Sequence, residues 1–121
     1  MKFLLADDSL TIRRVNLSML RELGYSEFVE ADCGEDVLKR LEEHPDIDMI
    51  LLDWNMPLMN GLDCLKAIKA NPETKHIPVV MVTSEATKSR ILEAIQCGAN
   101  QYLLKPYDIE KLKTVIAAVR K

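Results

Sequence analysis

The chain has 121 residues, a length for one folding unit, and a unit of that size buries enough surface to hold a core without disulfides or a structural metal. Its formal net charge of −3 and a sequence pI near 5.4, with no basic run, leave no general nucleic-acid footprint. Its longest apolar run, Ile77 to Val82, falls far short of the ~20 residues of a membrane span, and no basic-then-apolar leader opens the chain. A cytoplasmic location is the default expectation.

Taken in chain order, the apolar pattern alternates between two kinds of segment. Phe3-Leu4-Leu5-Ala6 is a short unbroken apolar run, as expected of a strand covered on both faces. Ile12, Val15, Met19, Leu20 and Leu23 then recur at helical spacing, with Ser9 placed to cap the helix and Gly24 to stop it. Phe28-Val29 sits among acidic neighbours and suits an edge strand. Val37, Leu38 and Leu41 form a second helical stripe. Met49 to Leu52 is the next buried-strand run, followed by Asn60-Gly61 and a stripe at Leu62, Leu65 and Ile68. Val79 to Val82 is a fourth strand, before a stripe at Ile91, Leu92 and Ile95 that ends at Gly98. Tyr102-Leu103-Leu104 reads as a fifth buried run. A last helix carries Ile109, Leu112, Ile116 and Val119, with Asp108 at its cap. Five strands alternating with five helices predict right-handed βαβ units, with helices on both faces of a parallel sheet. Ligands of such sheets sit outside the carboxyl ends of the strands.

Those ends carry the chemistry. The first run ends in Asp7-Asp8, the third in Asp53, the fourth in Thr83-Ser84-Glu85 and the fifth in Lys105-Pro106. Each has an ordinary reading alone: an aspartate pair caps a helix, an aspartate before Pro57 makes a turn, a threonine caps, a lysine is solvated. Their joint arrival at one rim has no such ordinary reading. Two like charges 4 Å apart cost ~1 kcal/mol in water and ~4 at the effective dielectric of a protein surface, so three carboxylates require a cation. Oxygen ligands from few residues suit Mg²⁺, which keeps several waters and takes phosphate as a co-ligand. Lys105 adds a second positive charge, and the Thr83 hydroxyl can donate to a phosphoryl oxygen. A carboxylate nucleophile, a divalent metal and a cationic clamp are the parts needed for phosphoryl transfer to an aspartate.

The charge is divided unevenly. Residues 1–60 hold 6 Lys/Arg against 13 Asp/Glu, and residues 61–121 hold 10 against 6, so the cations gather in the second half. Cys33, Cys64 and Cys97 are widely spaced, as are His44 and His76, which gives no zinc or thiol motif.

Asp7-Asp8-Ser9, Asp53-Trp54-Asn55-Met56-Pro57 with Asn60-Gly61, Thr83-Ser84-Glu85 and Tyr102-Leu103-Leu104-Lys105-Pro106 together resemble the motifs of the response-regulator receiver family, and most of all its chemotaxis members. The resemblance spans residues 1–121 and implies a single receiver domain with a flavodoxin-like (βα)5 doubly wound sheet of strand order 2-1-3-4-5, an order for which the family is itself a standing example. It implies that Asp53 accepts the phosphoryl group. Mg²⁺ would be held by Asp7, Asp8, Asp53 and the backbone carbonyl of Asn55, with Asp8 the direct ligand and Asp7 acting largely through water. Thr83 and Lys105 would contact the phosphoryl group, and Thr83 and Tyr102 would form a switch. Asn55 and Glu85 would tune dephosphorylation, and the Lys105–Pro106 bond would be cis. The implied partners are a histidine kinase of the chemotaxis type as donor, a downstream protein such as a flagellar switch component, and a phosphatase. No nucleic acid, no membrane and a monomeric state are expected, and no enzymatic activity beyond the protein's own phosphoryl transfer and autodephosphorylation. Ser9 and Ser84 depart from the common family pattern, and this leaves the partner open. The alternatives are a stand-alone phosphorelay shuttle or another single-domain regulator, which would use the same site. An Asp-nucleophile phosphatase would want Asp-x-Asp after the first strand, and a flavodoxin-like carrier would want a phosphate loop there.

Overall fold

A parallel sheet whose central strands are covered on both sides must be apolar on both sides, and the sequence runs obey that rule. The computed structural model describes residues 1–85 and 87–120. Its strands are β1 (Lys2–Ala6), β2 (Glu27–Ala31), β3 (Met49–Asp53), β4 (Val79–Thr83) and β5 (Gln101–Leu104), in one parallel sheet ordered β2-β1-β3-β4-β5. The helices α1 (Leu10–Glu22), α2 (Gly34–Glu43), α3 (Gly61–Ala70), α4 (Lys88–Gln96) and α5 (Ile109–Val119) alternate with them. This is the flavodoxin-like doubly wound order expected above.

Alternate side chains of each central strand enter different cores. Leu4, Ala6, Ile50, Leu52, Val79 and Met81 face α2 and α3, meeting Val37, Leu41, Leu62, Leu65 and Ile68. Phe3, Leu5, Met49, Leu51, Val80 and Val82 face the other way, against Leu17 and Leu20 of α1 and Leu112 and Ile116 of α5. Each of the larger side chains, Val, Leu, Ile, Phe or Met, contributes roughly 1.5–3 kcal/mol when fully buried. The predicted caps are present, Ser9 accepting from the Ile12 amide and Asp108 from that of Lys111, and Asn60 caps α3 in the same way by accepting from the Asp63 amide. The residues read as helix stops, Gly24 and Gly98, follow α1 and α4 at φ +100° and +104°.

Three local expectations are corrected. The α1 stripe reaches the core only in part: Leu20 is buried and Met19 and Leu23 pack against the core as expected, but Ile12 and Val15 are exposed and Asn16 and Leu17 face the sheet instead. The helix has two apolar flanks, and the one with Leu17 and Leu20 wins the core. The other flank, with Ile12, Val15 and Met19, lines an open groove of about 350 Å³ with Pro106 and Tyr107. Next, Tyr102-Leu103-Leu104 is not covered on both faces, because β5 is an edge strand: Leu103 is buried and Leu104 exposed. Finally, the α4 stripe does not reach the core, since Leu92 and Ile95 are exposed and Ala94 is the buried residue of that helix. Thr87, not Thr83, caps α4.

Candidate functional site at the carboxyl ends of the strands

Parallel strands end on one rim, so residues that close β1, β3, β4 and β5 become neighbours whatever their separation in the chain. Asp7 and Asp8 follow β1, Asp53 and Thr83 are the last residues of β3 and β4, and Lys105 follows β5. The register sets their heights: Ala6 lies opposite Leu52, Asp53 opposite Val82, and Thr83 opposite Leu104.

One carboxylate oxygen from each of Asp7, Asp8 and Asp53 can be chosen so that all three lie within 4.8 Å of one another. Asp7 and Asp53 are buried and Asp8 is exposed. The Lys105 ammonium sits between the two buried ones, 3.0 Å from Asp7 Oδ2 and 3.1 Å from Asp53 Oδ1. The electrostatics of this pair are mutual. Burial pushes the Asp53 carboxyl above its ordinary range, the Asp7 charge adds to that, and Lys105 opposes it. For Lys105, burial acts downward, but the hydrogen bond to Asp7 and the Asp53 charge outweigh it, and the ammonium is held above its usual value. The lysine therefore keeps its proton at neutral pH, between the two buried carboxyls.

The cluster fits a small hard cation. Opposite oxygens around Mg²⁺ lie ~4.2 Å apart, so three oxygens within 4.8 Å can share one ion directly or through a water after a small closure. Such an ion would be held by Asp7, Asp8 and Asp53, and the all-oxygen set is its usual company.

The backbone beneath Asp53 is fixed by α3. The Gly61 amide donates to Trp54 O at 2.7 Å. A Cβ on Gly61 would lie 2.2 Å from Asp53 O and 2.8 Å from Trp54 Cα, so only glycine lets the helix start there.

The side of the rim toward α4 is built differently. Thr83 is fully buried, its hydroxyl oxygen accepts from the Glu85 amide at 3.1 Å, and its hydroxyl hydrogen can be donated, with the Tyr102 phenol oxygen as a partner within reach. Tyr102 is partly buried, and its hydroxyl donates to Glu85 O. Burial pushes that phenol up. The Glu85 carboxylate pairs with Arg90 at 3.3 Å, and the Arg90 guanidinium stacks 4.6 Å from the centre of the Trp54 ring. Asn55 stands exposed two residues beyond Asp53.

The structure thus brings Asp7, Asp8, Asp53 and Lys105 into contact range, with Thr83 closing the adjacent strand. Tyr102 and Glu85 join on the α4 side. Sequence reading missed Gly61 as a contact residue, the Arg90–Trp54 stack, and the attachments of Arg13, Asn16 and Tyr107 described below. The Lys105–Pro106 bond is cis, as the resemblance implied. Among the described residues, no helix is long and apolar enough to cross a membrane.

The response regulator receiver domain family matches residues 3–117, and the chain belongs to that family. Within it, the chain is similar to chemotaxis regulators. Chemotaxis protein CheY-3 of Vibrio cholerae is 46% identical over 113 residues, covering 93% of this chain and 86% of the relative. Chemotaxis protein CheY of Pseudomonas aeruginosa is 43% identical over 119 residues, covering 98% and 95%. Among solved structures, the CheX–CheY–BeF3–Mg²⁺ complex from Borrelia burgdorferi superposes with a TM-score of 0.94 at 25% identity, covering 100% of this chain and 90% of that one. A CheY-like receiver is a signalling regulator and not a classical enzyme.

Proposed function

We propose that residues 1–121 form one receiver domain that takes a phosphoryl group on Asp53 from a CheA-like histidine kinase and then engages a downstream target, a component of the flagellar switch. The observation that carries this reading is the Lys105 ammonium, held 3.0 and 3.1 Å from two buried carboxylates inside a three-carboxylate cluster. Burial pushes the Asp53 carboxyl up, Lys105 opposes that rise, and the ionised carboxylate is the form that attacks.

In the proposed step, an Asp53 carboxylate oxygen forms a bond to phosphorus. The nitrogen–phosphorus bond of the donor's phosphohistidine breaks, and the leaving imidazole nitrogen keeps the electron pair and takes up a proton. Mg²⁺, held by Asp7, Asp8, Asp53 and the carbonyl of Asn55, would neutralise charge on the phosphoryl oxygens. Lys105 exchanges its carboxylate partners for a phosphoryl oxygen, and Thr83 donates to another. Asn55 and Glu85 flank the approach of the water that later hydrolyses the acyl phosphate, the step a partner phosphatase would accelerate. The relative solved with BeF3 and Mg²⁺ supports this use of the site.

The output follows from the α4 side. A phosphoryl group adds about −1.5 to −2 of charge beside Thr83. Movement of Thr83 toward it frees space that the Tyr102 ring can fill, biasing a two-state surface made of α4, β5 and α5. That surface exposes Leu92, Ile95 and Leu104 beside Lys88, Lys111 and Lys113, a combination suited to a helical segment with an acidic face. A cytoplasmic monomer acting without nucleic acid is part of the same proposal. Acetyl phosphate with Mg²⁺ should label the protein, and borohydride trapping with mass spectrometry should locate the group on Asp53. Labelling at Ser9, Thr83 or Ser84 instead would refute the assignment.

A further inference from the structure

A polar residue on the sheet-facing side of a helix must be matched, and α1 carries two of them one turn apart. Arg13 lies at the edge of that face, with a side chain only 13% exposed. Its Nη1 donates to the backbone carbonyl of Asp7 at 2.6 Å, and its Nε donates to Glu30 Oε1 of β2 at 3.1 Å. The guanidinium thus ties the turn that bears Asp7 and Asp8 to the neighbouring strand. Within the same turn, the Ser9 amide donates to Asp7 Oδ1 at 2.9 Å, so carboxylate and carbonyl are both held.

Asn16 is the second. It is 7% exposed, and its Oδ1 accepts a hydrogen bond from the Tyr107 hydroxyl across 91 residues of sequence. Tyr107 packs its ring on the α1–α5 core and belongs to the segment that follows Lys105. Its phenol is pushed up by burial first, then by the charges of Asp7 and Asp53, which places it within the field of the acidic rim. The other tie on that segment is the Lys105 amide, which donates to Thr83 O at 2.7 Å. The loop bearing the ammonium is therefore pinned on one side to β4 and on the other to α1.

We infer that α1 is the positioning element for both halves of the acidic site, with Arg13 holding the Asp7–Asp8 turn and Asn16, through Tyr107, holding the loop that carries Lys105. The inference rests on the phospho-accepting reading above. Arg13, Asn16 and Tyr107 are positioning residues and do not touch the reacting atoms. A hydroxyl lost from Tyr107 leaves the Asn16 side-chain oxygen without its partner at the wall of the α1 groove, and the loop loses its tie as water takes that place; removing both polar groups removes the drive for water to enter.

The two pins separate in their effects. Arg13→Lys keeps the charge but cannot bridge two acceptors in fixed geometry. It should weaken Mg²⁺ binding about 10-fold, the low end for an outer partner of a metal ligand, read by Trp54 fluorescence. It should also speed hydrogen exchange at the Ser9 amide in metal-free protein and leave the Lys105 amide unchanged. Tyr107→Phe should not weaken Mg²⁺ binding, since a looser Lys105 competes less for Asp7 and Asp53, and should slow labelling by acetyl phosphate at saturating Mg²⁺ roughly 10-fold, less than the ~100-fold of a full 1 Å misplacement. Exchange at the Lys105 amide should quicken, and the double variant Asn16→Val/Tyr107→Phe should restore both rate and protection. If the single variants only lower the melting temperature, with exchange, Mg²⁺ affinity and labelling rate as in the native protein, the residues are structural and the inference is overturned. Failure of the double variant to rescue would overturn the Asn16–Tyr107 pin. A native protein that neither binds Mg²⁺ nor accepts phosphate would sink the functional reading alone, because the exchange measurements on metal-free protein still decide the positioning.

Discussion

Helices α3 and α4 occupy equivalent places in consecutive βα units, each following a strand that ends in a site residue, yet they are attached in opposite ways. α3 buries Gly61, Leu62, Cys64, Leu65 and Ile68, and its first amide is bonded to the residue after Asp53. α4 buries Ala94, leaves Leu92 and Ile95 more than half exposed, and meets the rim through Arg90 on Trp54 and through the Tyr102–Glu85 bond near its start. A helix held by a continuous apolar face opens only with the whole fold, whereas one held by a few polar contacts shifts at low cost. The side proposed to accept phosphate is thus firmly anchored, and the side proposed for output is loosely held.

The largest test of that contrast is truncation. Leu65→Ala, in α3, should cost about 2–5 kcal/mol in urea unfolding, the range for a fully buried leucine. Leu92→Ala, in α4, should stay within about 0.5 kcal/mol. Similar losses at the two positions would erase the distinction between an anchored and a loosely held helix.

A second test uses the proposed Thr83–Tyr102 switch. Binding of an acidic helical peptide should tighten when beryllium trifluoride and Mg²⁺ are added, with coupling of about 1–3 kcal/mol, or roughly 5–150-fold. Thr83→Ala removes the hydroxyl that would follow the phosphoryl group, and most of the gain should go with it. Retention of the full gain in Thr83→Ala would mean that α4 is moved by some other contact.

The sequence made the rim legible because parallel topology converts strand ends into neighbours: Asp7, Asp8, Asp53, Thr83 and Lys105 needed only the positions of four apolar runs. Phe28-Val29 was readable as an edge because acids flank it. The contrast between α3 and α4 was not readable, since Leu62/Leu65/Ile68 and Ile91/Leu92/Ile95 are equally apolar stripes and only the edge position of β5 leaves the second uncovered. In α1, apolar residues on two flanks made the facing choice ambiguous, and a buried Asn16 looks like a surface residue until Tyr107 is seen beside it. Gly61 stands in the sequence only as the residue before the third helical stripe, while its contact with Asp53 O depends on how closely α3 approaches β3.

The smallest effect concerns charge on the anchored side. The Asp53 carboxyl is raised in the fold, chiefly by burial and then by Asp7, so the folded protein binds this proton more tightly than the unfolded chain does. Where the folded state binds more protons, stability rises as pH falls. The window begins at the ordinary value of 3.8 and extends up to the raised one; above it, the ionised Asp53 opposes folding. Lys105 contributes in a different range. Its folded value is also raised, so its stabilisation is complete below 10.5 and is lost only as pH climbs past the folded value. The Asp46 carboxyl is lowered by Lys2 and weakens with acid, but it does so equally in native and variant proteins. The difference between native protein and Asp53→Asn, measured without metal, therefore isolates one group. Asp53→Asn keeps the Lys105–Asp7 bond and removes the buried charge. It should be more stable than native protein at pH 7 by at most ~1 kcal/mol, within the spread of ordinary substitutions. The gap should narrow as pH falls through the window, because the native protein then sheds the same charge by protonation. A gap that widens with acid would mean that the Lys105 pair outweighs burial at Asp53, and the rigid side would owe part of its stillness to that ion pair.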